Sequence, residues 1–173
     1  MTQQGIEGPT ILVLGVGNVL LSDEGAGVRA LERLQARYLL PAQVQVLDGG
    51  TMGLDLLPYI EQASSLLLLD AVRMGQPPGS LVRLKGDEIP AALALKLSVH
   101  QVGLQELLAA SLFRQTLPSR IVLLGIEPAV IQWGLELSAP VAAALDDLAS
   151  AAASELESWD VPVLESGREA QCL

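Results

Sequence analysis

Three side chains of this sequence have the chemical types that bind a divalent metal ion: Glu24, Asp70 and His100. His100 is the only histidine of the chain. One imidazole and two carboxylates suit borderline divalent ions such as nickel, zinc, manganese or iron, and such a set leaves coordination positions open. The three residues are far apart in the chain, so their spacing is no motif by itself, and a fold must bring them together.

A glycine-rich stretch, GVGNVLLSDEGAG, offers a second interpretation, which is a phosphate-binding loop. Gly15 and Gly17 form the G-x-G start of a dinucleotide-binding turn after a strand-like run. Leu20 stands where that fingerprint needs another glycine, and Glu24 would itself occupy the positive helix end at which a phosphate binds. A nucleotide-binding α/β protein is therefore the weaker alternative, although Asp48 ends the second predicted strand, where a ribose-binding acid is expected.

A catalytic nucleophile is not indicated. The G-x-S-x-G elbow is absent from the sequence. The single cysteine, Cys172, lies one residue from the C-terminus in a predicted polar tail, and a lone cysteine gives no internal disulfide and no sign of an oxidising compartment.

The composition limits the possible partners. The chain has 173 residues, enough for one domain, and half of them are hydrophobic, enough for a sizeable core. Its net charge of −10 disfavours binding to nucleic acid or to an anionic membrane surface. The first ten residues lack the pattern of a signal peptide, and the apolar runs are too short to span a bilayer. A soluble, cytoplasmic protein is expected.

The chain alternates between strand and helix patterns, which predicts an α/β layer fold with a mostly parallel sheet. Ser22 or Asp23 is expected to cap the first helix, and Ser98 with Gln101 forms a possible capping box around His100. Strands are predicted at residues 11–16, 44–50, 65–72, 80–86 and 119–128, and helices at residues 23–38, 51–62, 98–113 and 138–157. The alternating pattern of the fourth strand predicts a half-exposed strand at an edge of the sheet.

In such folds, ligands bind beyond the carboxyl ends of the strands. The polar residues expected near that edge include the chain's only histidine and several carboxylates, so a crevice lined by them is predicted there. The residues are Asn18, Asp23, Glu24, Asp48, Asp70, His100 and Glu127.

Each candidate also has a purely structural interpretation. Glu24 is favoured in a first helical turn by the helix dipole. Asp70 can be a strand-end turn residue, although burial beside four leucines needs compensation by a metal or by hydrogen bonds. His100 can be a satisfied helix-start residue, and Asp48 before two glycines can serve the turn alone.

Other polar and aromatic residues are assigned no chemistry. The acidic residues of the last helix are expected on its solvated surface, and both tryptophans are expected to pack in the fold. These residues are Asp146, Asp147, Glu155 and Glu157 for the first group, and Trp133 and Trp159 for the second.

Several blocks of the chain closely resemble the [NiFe]-hydrogenase maturation proteases. The blocks are ILVLGVGNVLLSDEGAGVRALERL, LDGGTMGLDLLPYI, LLLLDAV, PPGSLVRL, KLSVHQVGLQELLA and IVLLGIEPAVI. They occur in family order from about residue 11 to about residue 155, within a single predicted domain over 1–173 that ends in a polar tail at about 160–173. Pro58 and the region around Trp133 look more individual to this chain and are candidates for setting the choice of substrate.

The resemblance implies a three-layer fold, with a twisted, mostly parallel sheet of five strands and helices on both faces. It also implies an endopeptidase, expected to be a monomer, that removes a short C-terminal extension from the precursor of a hydrogenase large subunit after nickel has been inserted.

The family's metal-binding triad corresponds by this resemblance to Glu24, Asp70 and His100, and the aspartate of its D-G-G block corresponds to Asp48, a possible helper or base. We hypothesise that the triad binds nickel that the precursor's cysteines already hold, so that nickel comes from the substrate; another divalent metal in the free protein is left open. The rival functions are a non-catalytic docking chaperone for the nickel-loaded subunit and the nucleotide-binding protein considered above.

Overall fold

The computed structural model describes residues 10–94 and 99–167, without the side chains of residues 94 and 99–101. The predicted capping role of Ser98 and the position of Cys172 lie outside the described residues. The strands are β1 (Ile11–Val16), β2 (Tyr38–Leu39), β3 (Val44–Gly50), β4 (Ser65–Ala71), β5 (Leu81–Lys85), β6 (Arg120–Ile126) and β7 (Leu164–Glu165). The helices are α1 (Ala26–Arg37), α2 (Leu57–Ile60), α3 (Glu88–Ala94), α4 (Val99–Phe113) and α5 (Ala139–Glu157), with 3₁₀ turns at Ser22–Gly25 and Gly53–Leu56.

The main sheet has five strands in the order β3-β1-β4-β6-β5. The first four strands are parallel, and β5 pairs antiparallel with β6 at one edge. The predicted α/β fold with a mostly parallel sheet is confirmed, as is the edge position of the fourth predicted strand. The open edge of β5 carries Arg83 and Lys85, the kind of charged side chain that discourages edge-to-edge pairing with another chain.

The central strand β4 shows why the sheet has helices on both faces. All seven of its residues are buried, which is the pattern of a parallel strand covered on both sides. Leu67 and Leu69 join the core with α1 and α5, whereas Leu66 and Leu68 join the core with α2, α3 and α4. Each fully buried leucine contributes about 1.5–3 kcal/mol to folding, so this one strand anchors both layers. None of the described helices is long and apolar enough to cross a membrane.

Helix α3 is absent from the sequence-based prediction. Its third residue is Pro90, and a proline in a short stretch of sequence normally argues against a helix. Proline is accepted there because the amides of a first helical turn have no partner within the helix. The first long helix also begins later than predicted, at Ala26, because Ser22–Gly25 forms a separate 3₁₀ turn.

The segment after residue 160 is expected to be a polar tail, but its first part packs on the fold. Val161 is buried in the core beneath α5. Strand β7 then pairs antiparallel with β2, and the Ser166 amide donates to the Arg37 carbonyl at 2.8 Å. The short ribbon is formed by residues distant in sequence, so local pattern does not reveal it.

Glu155 is not the solvated helix residue that its position in α5 predicts. It is buried, and the Arg83 guanidinium donates to both of its carboxylate oxygens at 2.8 Å, while the Trp159 indole donates at 3.0 Å. The hydrogen bonds from Arg83 lower the pKa of Glu155 and outweigh the opposing effect of burial. The same pairing raises the pKa of Arg83, so α5 is tied to the edge strand by an ion pair.

We therefore predict that Glu155→Gln lowers the free energy of unfolding at neutral pH by about 1 kcal/mol. Two hydrogen bonds to a charged group could contribute more, but Arg83 is half-exposed, and solvent screens its interaction with Glu155. The folded pKa lies below the ordinary value of 4.5, so the contribution is complete above that pH. It is lost as pH falls through the folded pKa. Urea unfolding at several pH values measures this, with exposed Glu157→Gln as the matched control. A difference that persists undiminished in acid would contradict the prediction.

Candidate functional site

Glu24 and Asp70 lie at the carboxyl edge of two neighbouring strands, as the sequence predicts. Glu24 belongs to the 3₁₀ turn that follows β1, and Asp70 is the penultimate residue of β4. Both residues are buried, at 3% and 0% exposure, and the Oε1 atom of Glu24 and the Oδ2 atom of Asp70 are shielded from solvent. Asp70 Oδ1 accepts the Ala71 amide at 2.7 Å, which fixes one face of that carboxylate.

Close backbone packing brings together the two segments that carry these carboxylates. A side chain at Gly27, in the first turn of α1, would collide with the carbonyl oxygens of Val16 and Leu69. Gly27 is therefore required for α1 to begin directly on the ends of β1 and β4. This contact places the turn that carries Glu24 beside the end of β4 that carries Asp70.

The backbone of His100 lies in the first turn of α4, while its side chain is outside the described residues. Helix α4 is positioned by glycine-to-glycine packing, because a Cβ at Gly103 would lie only 3.1 Å from the Cα of Gly53. Gly53 follows β3 in the turn at the same sheet edge, with a φ of +56° that favours glycine. The first turn of α4 is thus held close to the loop that leaves β3.

Asp48 is exposed on β3, the strand that borders β1. Its Oδ1 accepts the Gly50 amide at 2.9 Å, and Gly50 has a φ of +42°. The interpretation of Asp48 as a turn residue is therefore confirmed. The other carboxylate oxygen is not needed for this turn, so the geometry also permits a second role toward a substrate.

Asp23, the neighbour of Glu24, holds a loop together. It is fully buried and accepts four hydrogen bonds: from the amides of Ala129 and Val130 at 2.9 Å, and from the amide and hydroxyl of Ser138 at 2.7 Å. The predicted role of Asp23 as a helix cap is wrong, because its carboxylate is directed to the segment between β6 and α5. Such a partner more than a hundred residues away leaves no mark in local sequence pattern.

Ser22 acts in the same way as Asp23. Its hydroxyl donates to the Gln132 carbonyl and its amide to the Gly134 carbonyl, both at 2.9 Å. The Asp23 amide donates to Val130 at 3.3 Å and the Glu24 amide to Leu21 at 3.2 Å. A phosphate loop needs such amides open toward its ligand, and here they are satisfied by protein carbonyls. This pattern argues against the dinucleotide interpretation.

Two further polar residues predicted near this edge have structural roles. Asn18 accepts the Leu20 amide through its Oδ1 at 3.0 Å. Glu127 is buried, and its Oε2 accepts the amides of Met74 at 2.6 Å and Gln76 at 3.3 Å. It therefore organises the loop that follows Asp70.

The two tryptophans differ from each other. Trp159 is partly buried against the core and stacks with Arg120, so the prediction that it packs is confirmed. Trp133 is 81% exposed, so the same prediction is wrong for it. The local sequence pattern cannot distinguish the two tryptophans. The exposure of Trp133 depends on how the segment between β6 and α5 is held on the turn after β1, which involves residues distant in sequence.

A cavity of about 470 Å³ lies elsewhere, between α3, α4 and the start of β6. Its lining is mainly apolar and includes Leu93, Leu108 and Ile121. Strand β6 begins at the amino-terminal end of the parallel strands, whereas Glu24 and Asp70 lie at their carboxyl-terminal end. This cavity is therefore separate from the carboxylate site.

Among the described residues no group of three His, Cys, Asp or Glu side chains forms a metal site. The described part of the predicted triad is its two carboxylates, with the backbone of His100 placed in α4. Burying carboxylates costs solvation, and a divalent cation bound by them offsets that cost. The arrangement can therefore take part in binding a cation that comes to this edge.

Comparison with known proteins places the chain among hydrogenase-processing enzymes. Residues 28–155 match the family model described as hydrogenase maturation protease. The chain is 44% identical to the hydrogenase expression/formation protein HupD of Rhodobacter capsulatus, over 88% of this chain and 74% of that protein. It is 41% identical to the hydrogenase 2 maturation protease of Escherichia coli, over 79% of this chain and 84% of that protein.

Solved structures give the same result. The hydrogenase maturating endopeptidase HybD from Escherichia coli superposes with a TM-score of 0.87 at 36% identity, over 91% of this chain and 98% of that chain. The superposition covers nearly the full length of both proteins, so it includes the five-stranded sheet of this chain and the helices on both of its faces.

The role of Asp23 is testable on the isolated protein. Asp23→Asn keeps the size of the side chain but places an amide group among donors, so we predict a loss of about 2–3 kcal/mol in the free energy of unfolding. Hydrogen exchange at the Ala129 and Val130 amides should accelerate in this variant. Ser138→Ala is the milder control, because it removes the hydroxyl donor and leaves the Ala129, Val130 and Ser138 amides bonded. Unchanged exchange at Ala129 and Val130 in Asp23→Asn would contradict the assignment.

Proposed function

The chain belongs to the hydrogenase maturation protease family, and we propose that it is the cytoplasmic endopeptidase that removes the C-terminal extension from a nickel-loaded [NiFe]-hydrogenase large-subunit precursor. The observation that carries the proposal is the pair of buried carboxylates, Glu24 and Asp70, at the carboxyl ends of neighbouring strands. The maturation proteases give the class of reaction, and this pair gives a place where the metal of the substrate can be recognised.

In this proposal Glu24, Asp70 and His100 bind the nickel ion that the precursor brings in its own cysteines. Two carboxylates and one imidazole are harder ligands than thiolates, so they do not remove nickel from the precursor. They complete its coordination only when nickel is present. A precursor without nickel offers nothing for these ligands to bridge, and binding at this site therefore tests whether metal insertion is finished.

The reaction is hydrolysis of one peptide bond. Water adds to the scissile carbonyl, the C–N bond breaks, and the products are the new C-terminal carboxylate of the subunit and the amine of the released extension. The nickel of the substrate supplies Lewis acidity toward the carbonyl or the water. Asp48 is exposed beside this edge, and we assign it the role of orienting the water or accepting its proton.

The surrounding charges support a cationic centre at this place. The chain carries 20 acidic and 10 basic residues, so its overall field attracts a metal-bearing or basic partner. The burial of Glu24 and Asp70 strengthens their interaction with a cation, because solvent screens it less than it would at the surface.

Replacing a proposed nickel ligand should abolish processing. We expect Glu24→Gln, Asp70→Asn or His100→Gln to reduce cleavage of purified nickel-loaded precursor by more than about 100-fold, since losing even a supporting residue around a metal costs 10–100-fold. Asp48→Asn should slow cleavage less than these variants. The mass of the precursor over time is the readout, and exposed Glu32→Gln on α1 is the matched control for loss of one negative charge. Normal processing by both Glu24→Gln and His100→Gln would contradict the ligand assignment.

Metal removal tests the recognition step separately. The wild-type protein should leave nickel-free precursor uncut under conditions in which it shortens the nickel-loaded precursor. Adding nickel to the free protease alone should not restore cleavage. Equal cleavage of both precursors would show that nickel is not the recognition element. Binding of the loaded precursor without any shortening by the purified protein would instead favour the docking-chaperone function.

A further inference from the structure

A group of exposed apolar side chains lies on the segment before the turn that carries Glu24 and on the segment between β6 and α5. The group consists of Leu20, Val130, Ile131, Trp133 and Leu135, and is called the Trp133 surface below. Trp133 is 81% exposed, Leu135 59% and Leu20 50%. Single exposed apolar residues are ordinary, but several of them on two segments joined by a β-bridge are typical of an interaction surface. Tryptophan is also one of the residue types enriched among those that dominate the energy of protein interfaces.

The backbone under the Trp133 surface is held in one conformation. The Gly134 amide donates to the Leu20 carbonyl and the Ser22 amide to the Gly134 carbonyl, both at 2.9 Å. The Ser22 hydroxyl donates a hydrogen bond to the carbonyl of Gln132, the residue that precedes Trp133. The buried Asp23 carboxylate fixes the two ends of the same segment, at Ala129 and Ser138. A surface ordered in advance in this way loses less entropy when a partner binds.

The Trp133 surface adjoins the turn that carries Glu24. Leu20 directly precedes the bridge between Leu21 and Gly134. The 3₁₀ turn that carries Glu24 begins two residues after Leu20. The apolar group therefore lies close to Glu24 along the chain, and a partner that brings a metal ion to Glu24 can contact both.

Charge indicates the chemistry of the occupant. Residues 18–28 and 127–138 contain no lysine or arginine, and the exposed charge of the second segment is Glu136. The two segments that form the surface therefore carry apolar side chains and an exposed negative charge but no positive charge, and they complement a segment that has apolar side chains and a positive charge. A second copy of this chain is a poor occupant, because each copy carries a net charge of −10 and the two repel one another.

We propose that the Trp133 surface is the docking surface for the large-subunit precursor, where it binds an apolar segment that also carries positive charge. The inference rests on the proposed function, because the precursor is its partner. It adds that this enzyme selects its precursor by a rigid apolar contact as well as by nickel.

The test compares Trp133→Ala with Phe113→Ala in cleavage of purified nickel-loaded precursor. Phe113 is 90% exposed and ends α4, about 20 Å along that helix from its first turn at the site, so it is a matched aromatic control. Trp133→Ala should raise KM by about tenfold or more, the usual effect of truncating a central interface tryptophan, while kcat changes far less. Phe113→Ala should leave both parameters as in the wild type. Circular dichroism melting checks that both variants are folded.

The outcomes separate this inference from the proposed function. A Trp133→Ala variant with unchanged KM, beside an inactive Glu24→Gln variant, would overturn the docking surface and leave the protease function standing. A loss confined to kcat would also overturn it. If the wild type binds the precursor without cutting it, the protease function fails, and weaker binding of Trp133→Ala in calorimetry would still support the docking surface. Loss of self-association in Trp133→Ala, with precursor affinity unchanged, would assign the surface to a second copy and overturn the proposal.

Discussion

The arrangement at the carboxyl edge depends on one buried carboxylate, that of Asp23. It accepts hydrogen bonds from the amides of Ala129, Val130 and Ser138 and from the Ser138 hydroxyl. A buried charge is stable only when its lone pairs are occupied in this way. The bonds join the turn after β1 to the segment before α5. That junction sets both the position of the turn that carries Glu24 and the course of the segment that exposes Trp133.

Two adjacent acids therefore do different work, because they face different surroundings. Asp23 is enclosed by donors from its own protein, whereas Glu24 and Asp70 lie buried at the ends of neighbouring strands. In the proposed function Glu24 and Asp70 recognise a cation that belongs to another protein. Asp23 holds the turn that carries Glu24 in place. Of these two neighbouring residues, one therefore serves the fold and the other serves recognition. The glycines of this stretch serve close packing, as Gly27 does against Val16 and Leu69.

The parts of the structure that the sequence predicts are those that follow from local pattern. The buried run of β4 and the half-exposed pattern of β5 are expected from their residues, and Glu24 and Asp70 are expected at one edge because parallel strands end together. The parts that it does not predict depend on partners far along the chain. Glu155 is buried because it pairs with Arg83 of the edge strand, which is 72 residues away in the sequence. Trp133 is exposed because its segment is held on the turn after β1. The role of Asp23 belongs to the same class.

The central claim is that carboxylates of this chain complete the coordination of nickel held by the precursor. X-ray absorption at the nickel edge, on loaded precursor frozen with the protein before cleavage, tests it most directly. The account predicts that nickel gains oxygen or nitrogen neighbours on mixing with the wild type, and gains fewer with Glu24→Gln. An unchanged nickel environment in a mixture that goes on to release the extension would contradict it.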